Sequence, residues 1–138
     1  MNHYKYEEIE IGHEESFSVT LTEEMMDSFR KITGDVNPLH ADDDFAREKG
    51  YDGKAAFGML TASFLSTLAG VYLPGENSLI QNTEVKFMKP VYPGQTLTIS
   101  GTVSEKNDAY HAMKLKIAIR NDKNEKVLRG TMQVGVLE

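Results

Sequence analysis

The chain has 138 residues, enough for one domain with a true apolar core. Apolar residues make up 40% and charged residues 26%, the balance of a soluble globular protein, while a net charge of −6 without any basic run argues against a nucleic-acid partner. With no cysteine, disulfides, thiolate catalysis and thiolate metal sites are excluded, and a reducing cytoplasm is the expected setting.

The first stretch, "MNHYKYEEIEIGHEE", is polar and acidic and carries no apolar h-region, so no secretory signal is expected. "ESFSVTLT", Glu15 to Thr22, alternates as a strand does. "TEEMMDSFRKITG" then reads as a helix. Thr22 can cap it, Glu23 and Glu24 suit the positive end of its dipole, and Gly34 can end it. Met25, Met26, Phe29 and Ile32 fall on one face at helical spacing. After a loop, "DDDFAREKG" predicts a short helix with an Asp cap and a stop at Gly50.

Ala55 to Leu73 contains no charge. About 20 apolar residues would cross a bilayer. This segment carries two Gly, two Ser and two Thr and no flanking cluster of Lys or Arg, so a helix buried in protein is expected instead. Beyond "LPGENS" the period changes to two. "SLIQNTEVKFMKPV", "QTLTISGTVSEK", "YHAMKLKIAIR" and "KVLRGTMQVGVL" read as strands, the last three meeting at short turns as an antiparallel meander. The segments together predict an α+β domain covering residues 1–138. Its antiparallel sheet of about five strands wraps round a long buried helix, the hot-dog arrangement.

The loop "ITGDVNPLHADDDF" places Asp35, Asn37 and His40 around Pro38. Each residue suits a turn by itself: Asn bonds its own backbone and Pro fixes φ. Together, a carboxylate and an imidazole held by a stiff loop can orient one water and move its proton. Asp42, Asp43 and Asp44 read as a solvated helix start, and one histidine without cysteine is a poor metal set, so no metal is expected. Gly58 opens the buried helix with an N–H that has no acceptor inside it, either to pack closely or to bind a carbonyl oxygen that turns negative. Ser63, within that helix, has no nucleophile elbow around it and more naturally bonds a preceding carbonyl.

"TGDVNPLHADDDFA" followed by "FGMLTASFLSTLAG" resembles the MaoC-like (R)-specific enoyl-CoA hydratases, and "VKFMKPVYPGQTLTISGTV" is similar to that family's strand segment. The resemblance is close from Thr33 to Val103. It implies a hot-dog fold, a homodimer or higher homo-oligomer, and reversible addition of water to a trans-2-enoyl thioester, giving a (3R)-3-hydroxyacyl product. It implies Asp35 as principal base, His40 as its partner on the water, and Asn37 setting the loop. Gly58 would offer its N–H to the thioester oxygen, and Ser63 would stand near the site. No cofactor is implied; the thioester carrier, CoA or acyl-carrier protein, belongs to the substrate. The same fold also serves (3R)-hydroxyacyl carrier-protein dehydration, acyl-thioester binding without turnover, and thioester hydrolysis.

Two departures stand out. Phe57 occupies a place before the helix glycine where the family often has a polar residue, and Gln95 replaces a frequent acid. The Phe57 ring is expected to narrow the acyl pocket. Lys86 and Lys89, and the alternating Lys114, Lys116 and Arg120, are the cations available to phosphates or to an acidic carrier, and suit a solvated sheet face as well.

Overall fold

The computed structural model describes residues 1–138. Seven residues of alternating exposure form β1, Glu14–Thr20. Helix α1, Glu23–Thr33, follows; the Thr22 hydroxyl accepts from the Met25 N–H at 3.1 Å, and Gly34 closes the helix at φ +74°. Met26 is buried and Met25 and Phe29 are partly so, but Ile32 at the end of the same face is 81% exposed. The helix meets the core only along its first two turns. A single 3-10 turn, Pro38–His40, leads to α2, Asp43–Glu48, whose N-terminal amides are capped by the Asp42 carboxylate.

The uncharged segment forms α3, Gly58–Thr67, and a π-helical turn, Leu68–Tyr72. It is shorter than its composition suggests and is not buried all round: Met59, Ser63 and Ser66 are exposed, while Leu60, Thr61, Leu65, Leu68 and Ala69 point inward. No helix is long and apolar enough to cross a membrane.

Strands β2 (Ser78–Phe87), β3 (Thr96–Asn107), β4 (Ala112–Arg120) and β5 (Lys126–Val136) complete one antiparallel sheet in the order β1-β3-β4-β5-β2. Its inward side chains, among them Leu97, Ile99, Leu115, Ile119, Met132 and Val134, form one cluster with Leu60, Leu65 and Leu68 of the helical segment. At Gly101 there is no room for a side chain: a Cβ would lie 2.9 Å from Leu68 Cδ2. The sheet therefore grips the helix, as the expected arrangement requires.

The chain's first residues are tied to the far end of the sheet by Tyr6. Its hydroxyl donates to Asp108 Oδ1 at 2.6 Å, its ring stacks on His111 at 4.6 Å, and Lys106 Nζ lies 4.2 Å from the ring centre. Burial, reinforced by the hydrogen bond to Asp108 and its negative charge, pushes the phenol up from 10.0 to about 12. Folding therefore favours the neutral phenol. Its contribution is intact below the unfolded value of about 10 and disappears as pH rises through about 12. Urea midpoints measured from pH 9 to 12 should fall steeply for the native chain and less steeply for Tyr6→Phe.

Candidate active site

The turn after α1 is built from local polar bonds. Asp35 N–H donates to Thr33 Oγ1 at 3.2 Å, Asn37 N–H donates to Asp35 Oδ1 at 3.0 Å, and Leu39 N–H donates to Asn37 Oδ1 at 2.9 Å. Asp35 thus spends one oxygen on its own turn and keeps Oδ2 for another partner. Asn37 spends its side chain on capping the Pro38–His40 turn.

His40 is fixed from three sides. Its Nδ1 lies 2.8 Å from the Ala55 carbonyl oxygen. A carbonyl only accepts, so Nδ1 carries the proton, and in the neutral ring Nε2 is left with its lone pair. The Phe57 ring packs against the imidazole at 4.3 Å. Arg30 Nη2 donates to the His40 carbonyl at 3.0 Å, while Arg30 Nη1 binds Asp27 at 2.9 Å and the guanidinium carbon lies 5.6 Å from the centre of the Phe57 ring.

The approach to α3 is stitched to the same turn. Ala55 N–H donates to the Leu39 carbonyl at 3.0 Å and Ala56 N–H to the Val91 carbonyl at 2.7 Å. Gly58, the first residue of α3, makes no backbone bond through its own N–H. That amide adds to the positive end of the helix dipole, which favours an oxygen carrying negative charge.

One cavity of about 440 Å³ is lined by Asp35, His40 and Gly58 together with Thr33, Phe57 and Phe87. A second, of about 310 Å³, shares His40, Gly58 and Phe87 and continues past Thr61 toward Val91 and Val127. The turn and the helix start thus converge. Ser63 is not brought to either cavity: it lines a groove between α1 and α3, and its hydroxyl donates to the Leu60 carbonyl at 2.6 Å. Asn37 does not line them either.

Phe57 is 2% exposed, and its ring serves as a backing for His40. Arg30 lies outside every stretch that carries the resemblance; Thr33, Thr61 and Phe87 lie inside those stretches, but no role is read for them there. Thr33 ends α1 and bonds Asp35 locally, whereas Arg30 reaches the His40 backbone, ten residues on, only through the fold. Arg30→Met should lower turnover roughly 10-fold, with the apparent substrate affinity little changed, because it loosens the backbone that aims His40. Steady-state kinetics on an enoyl thioester would read the split between kcat and KM.

The cations divide. Lys116 lines an open hollow on the outer face of the sheet with Lys86, Lys126 and Arg129, whereas Lys114 lines another and Arg120 bonds the Asn124 carbonyl at 3.1 Å. Lys89 pairs with Glu125 beside the second cavity. Among Asp42–Asp44, Asp42 caps α2 and Asp43 accepts from the Lys54 N–H at 2.8 Å, and no group of three or more His, Asp or Glu is arranged to hold a metal.

The sequence profile described as MaoC like domain matches residues 7–125. The chain belongs to the MaoC-like family. This MaoC-like chain is 35% identical over 102 residues to an (R)-specific enoyl-CoA hydratase of Rhodospirillum rubrum, covering 74% of the chain and 70% of that relative. It is 28% identical over 102 residues to a mitochondrial 3-hydroxyacyl-[acyl-carrier-protein] dehydratase of Arabidopsis thaliana, covering 74% of the chain and 52% of that relative. Among solved structures, the unliganded R-hydratase PhaJ1 of Pseudomonas aeruginosa superposes with a TM-score of 0.90 at 25% identity, over 96% of this chain and 85% of that one. The hot-dog fold read from the alternation of strands and the uncharged helix is thereby established.

Proposed function

We propose that this MaoC-like domain, residues 1–138, catalyses the reversible (R)-specific hydration of trans-2-enoyl-CoA thioesters to (3R)-3-hydroxyacyl-CoA. The observation that carries the reading is the convergence of Asp35, His40 and the unbonded Gly58 N–H on one cavity. The thioester oxygen takes the Gly58 N–H. A water bound between Asp35 Oδ2 and His40 Nε2 adds its oxygen to C3 while Asp35 removes one proton. The C2–C3 electron pair shifts toward the thioester oxygen, whose negative charge the helix start stabilises. The acid–base pair then returns a proton to C2, and the enolate collapses to the saturated thioester. Atoms balance: one water is consumed, its hydroxyl on C3 and its hydrogen equivalent on C2.

An edge strand needs cover, and β2 is an edge of the sheet with Leu79, Ile80, Phe87 and Met88 exposed along it and just past its end. This supports a homodimer whose interface runs beside the site, since Phe87 lines both cavities. Asn37 acts as a support of the catalytic turn; Ser63 is given no direct role. No metal or redox cofactor takes part, and we assign the enzyme to the cytoplasm.

The test is loss of the conjugated enoyl absorbance on mixing the protein with crotonyl-CoA, with the configuration of the product at C3 then analysed. Absence of turnover, or a 3S product, would overturn the reading. The likeness to a carrier-protein dehydratase supports a second reading, dehydration of (3R)-hydroxyacyl carrier-protein thioesters; the same acyl group assayed on CoA and on carrier protein separates the two. Tight binding of both without turnover would point to an acyl-thioester binding module.

A further inference from the structure

The outer face of the sheet carries a hollow of about 660 Å³ lined by Lys86, Lys116, Lys126 and Arg129. The chain as a whole bears a net charge of −6, yet these four cations share the hollow with a single carboxylate, Glu84. Elsewhere Arg30, Arg47, Lys54 and Lys89 each hold a carboxylate, whereas none of the four in the hollow is in an ion pair. Strand pairing also sets like charges directly against each other. Lys86 of β2 lies opposite Arg129 of β5, and Lys126 of β5 lies opposite Arg120 of β4. Such opposition is destabilising. Lys126 reaches this face through a bulge. It is three residues from Arg129, so regular alternation would turn it inward. The register of β4 against β5 shifts between Ile119 and Arg120, Val127 and Leu128 are both buried, and Lys126 comes out on the face of Arg129. The fold collects positive charge here instead of dispersing it.

Unpaired cations held close together repel one another, and an anion among them relieves that repulsion. Lys116, Arg129 and Lys86 stand on the adjacent strands β4, β5 and β2, so the two lysines are rooted about 10 Å apart with the guanidinium between them. A ligand whose charge is spread along a chain meets all three in place, whereas one compact anion would have to draw both lysines inward. The middle of the hollow is low, because small residues, Ala118 and Gly130, line it beside Arg129. Thr131 adds a hydroxyl able to donate. The planar fork of an arginine suits two phosphate oxygens at once, and lysines act beside it as point charges. We propose that this hollow is a binding site for linked phosphates, two or more in a chain, held by Arg129 with Lys86 and Lys116 on either side. Nucleoside diphosphates and triphosphates carry that chemistry, and so does the diphosphate of coenzyme A. The hollow shares no lining residue with the two cavities around His40, so the site is separate from the acid–base pair.

Calorimetric titration at low salt tests the site without any turnover, so its failure is distinct from failure of the hydratase reading. The probes are orthophosphate, inorganic pyrophosphate and tripolyphosphate. Pyrophosphate and tripolyphosphate should bind saturably, and orthophosphate about 10-fold more weakly or less. Arg129→Gln and Lys86→Gln should each weaken pyrophosphate binding about 10-fold, the effect of losing one charged hydrogen bond. Lys31→Gln, which removes the same charge from α1, should leave it unchanged. Both hollow variants relieve an opposition of like charges, so neither should melt below the native chain. ADP and CoA, titrated against the native protein and Arg129→Gln, distinguish the sources: the ligand whose affinity falls more with Arg129 is the better occupant, and a fall in either keeps the site. No saturable binding, or equal losses in Lys31→Gln and Arg129→Gln, would overturn it. An acidic helical peptide that binds more tightly than tripolyphosphate, and depends on Arg129, would assign the face to a protein partner and overturn the phosphate site as well.

Discussion

Asp35→Asn should leave the fold intact and cut kcat on crotonyl-CoA by roughly 10²-fold or more. The amide oxygen of the new side chain can still accept the Asn37 N–H that Asp35 Oδ1 accepts at 3.0 Å, so the turn keeps its shape. What disappears is the anionic oxygen able to take a proton from water. His40→Ala should cost a similar factor, but it also removes the bond to the Ala55 carbonyl and the contact with Phe57. Its melting temperature must therefore be read beside its rate. An Asp35→Asn enzyme with native turnover would show that the base lies elsewhere, and the acid–base pair would have to be abandoned.

The second large effect is expected at Gly58. A Cβ there would lie 3.0 Å from Phe87 Cε1 and 3.2 Å from Cδ1. Phe87 is 50% exposed, so its ring can move aside, and alanine is a better helix former than glycine. Gly58→Ala should therefore fold. The added methyl, and the ring it displaces, intrude where the thioester oxygen must approach the free N–H. Loss of one such donor typically costs 10²- to 10³-fold, and kcat/KM should drop by about 10²-fold. Pairing Gly58→Ala with Phe87→Ala distinguishes the two obstacles: recovery would implicate the ring, and none the methyl beside the amide. Unchanged kcat/KM in the single variant would remove Gly58 from the mechanism.

Much of the site's local frame was legible before any coordinates. Thr22, Gly34, Asp42 and Gly50 end or begin their helices as their chemistry predicts, and Asn37 caps its own turn. The period-two segments each became a strand of one sheet. The misreadings concern which side of an element is covered. Ile32 shares a helical face with Met26 yet lies in solvent, and α3 gives way to a π turn after Thr67 with Ser63 turned outward. A helical stripe says which residues share a direction, but only packing says how far along it the core extends.

The sequence by itself determined the caps, the turns, the alternation of the strands and the uncharged character of the central helix, because each depends on residues a few positions apart. Only the tertiary structure decided that Arg30 holds the backbone of His40, that Phe57 backs the imidazole, that Ala56 is bonded to Val91, and that Phe87 stands against Gly58. Most of these contacts join segments separated by long stretches of chain. They form when the sheet closes on α3, and no local periodicity carries them.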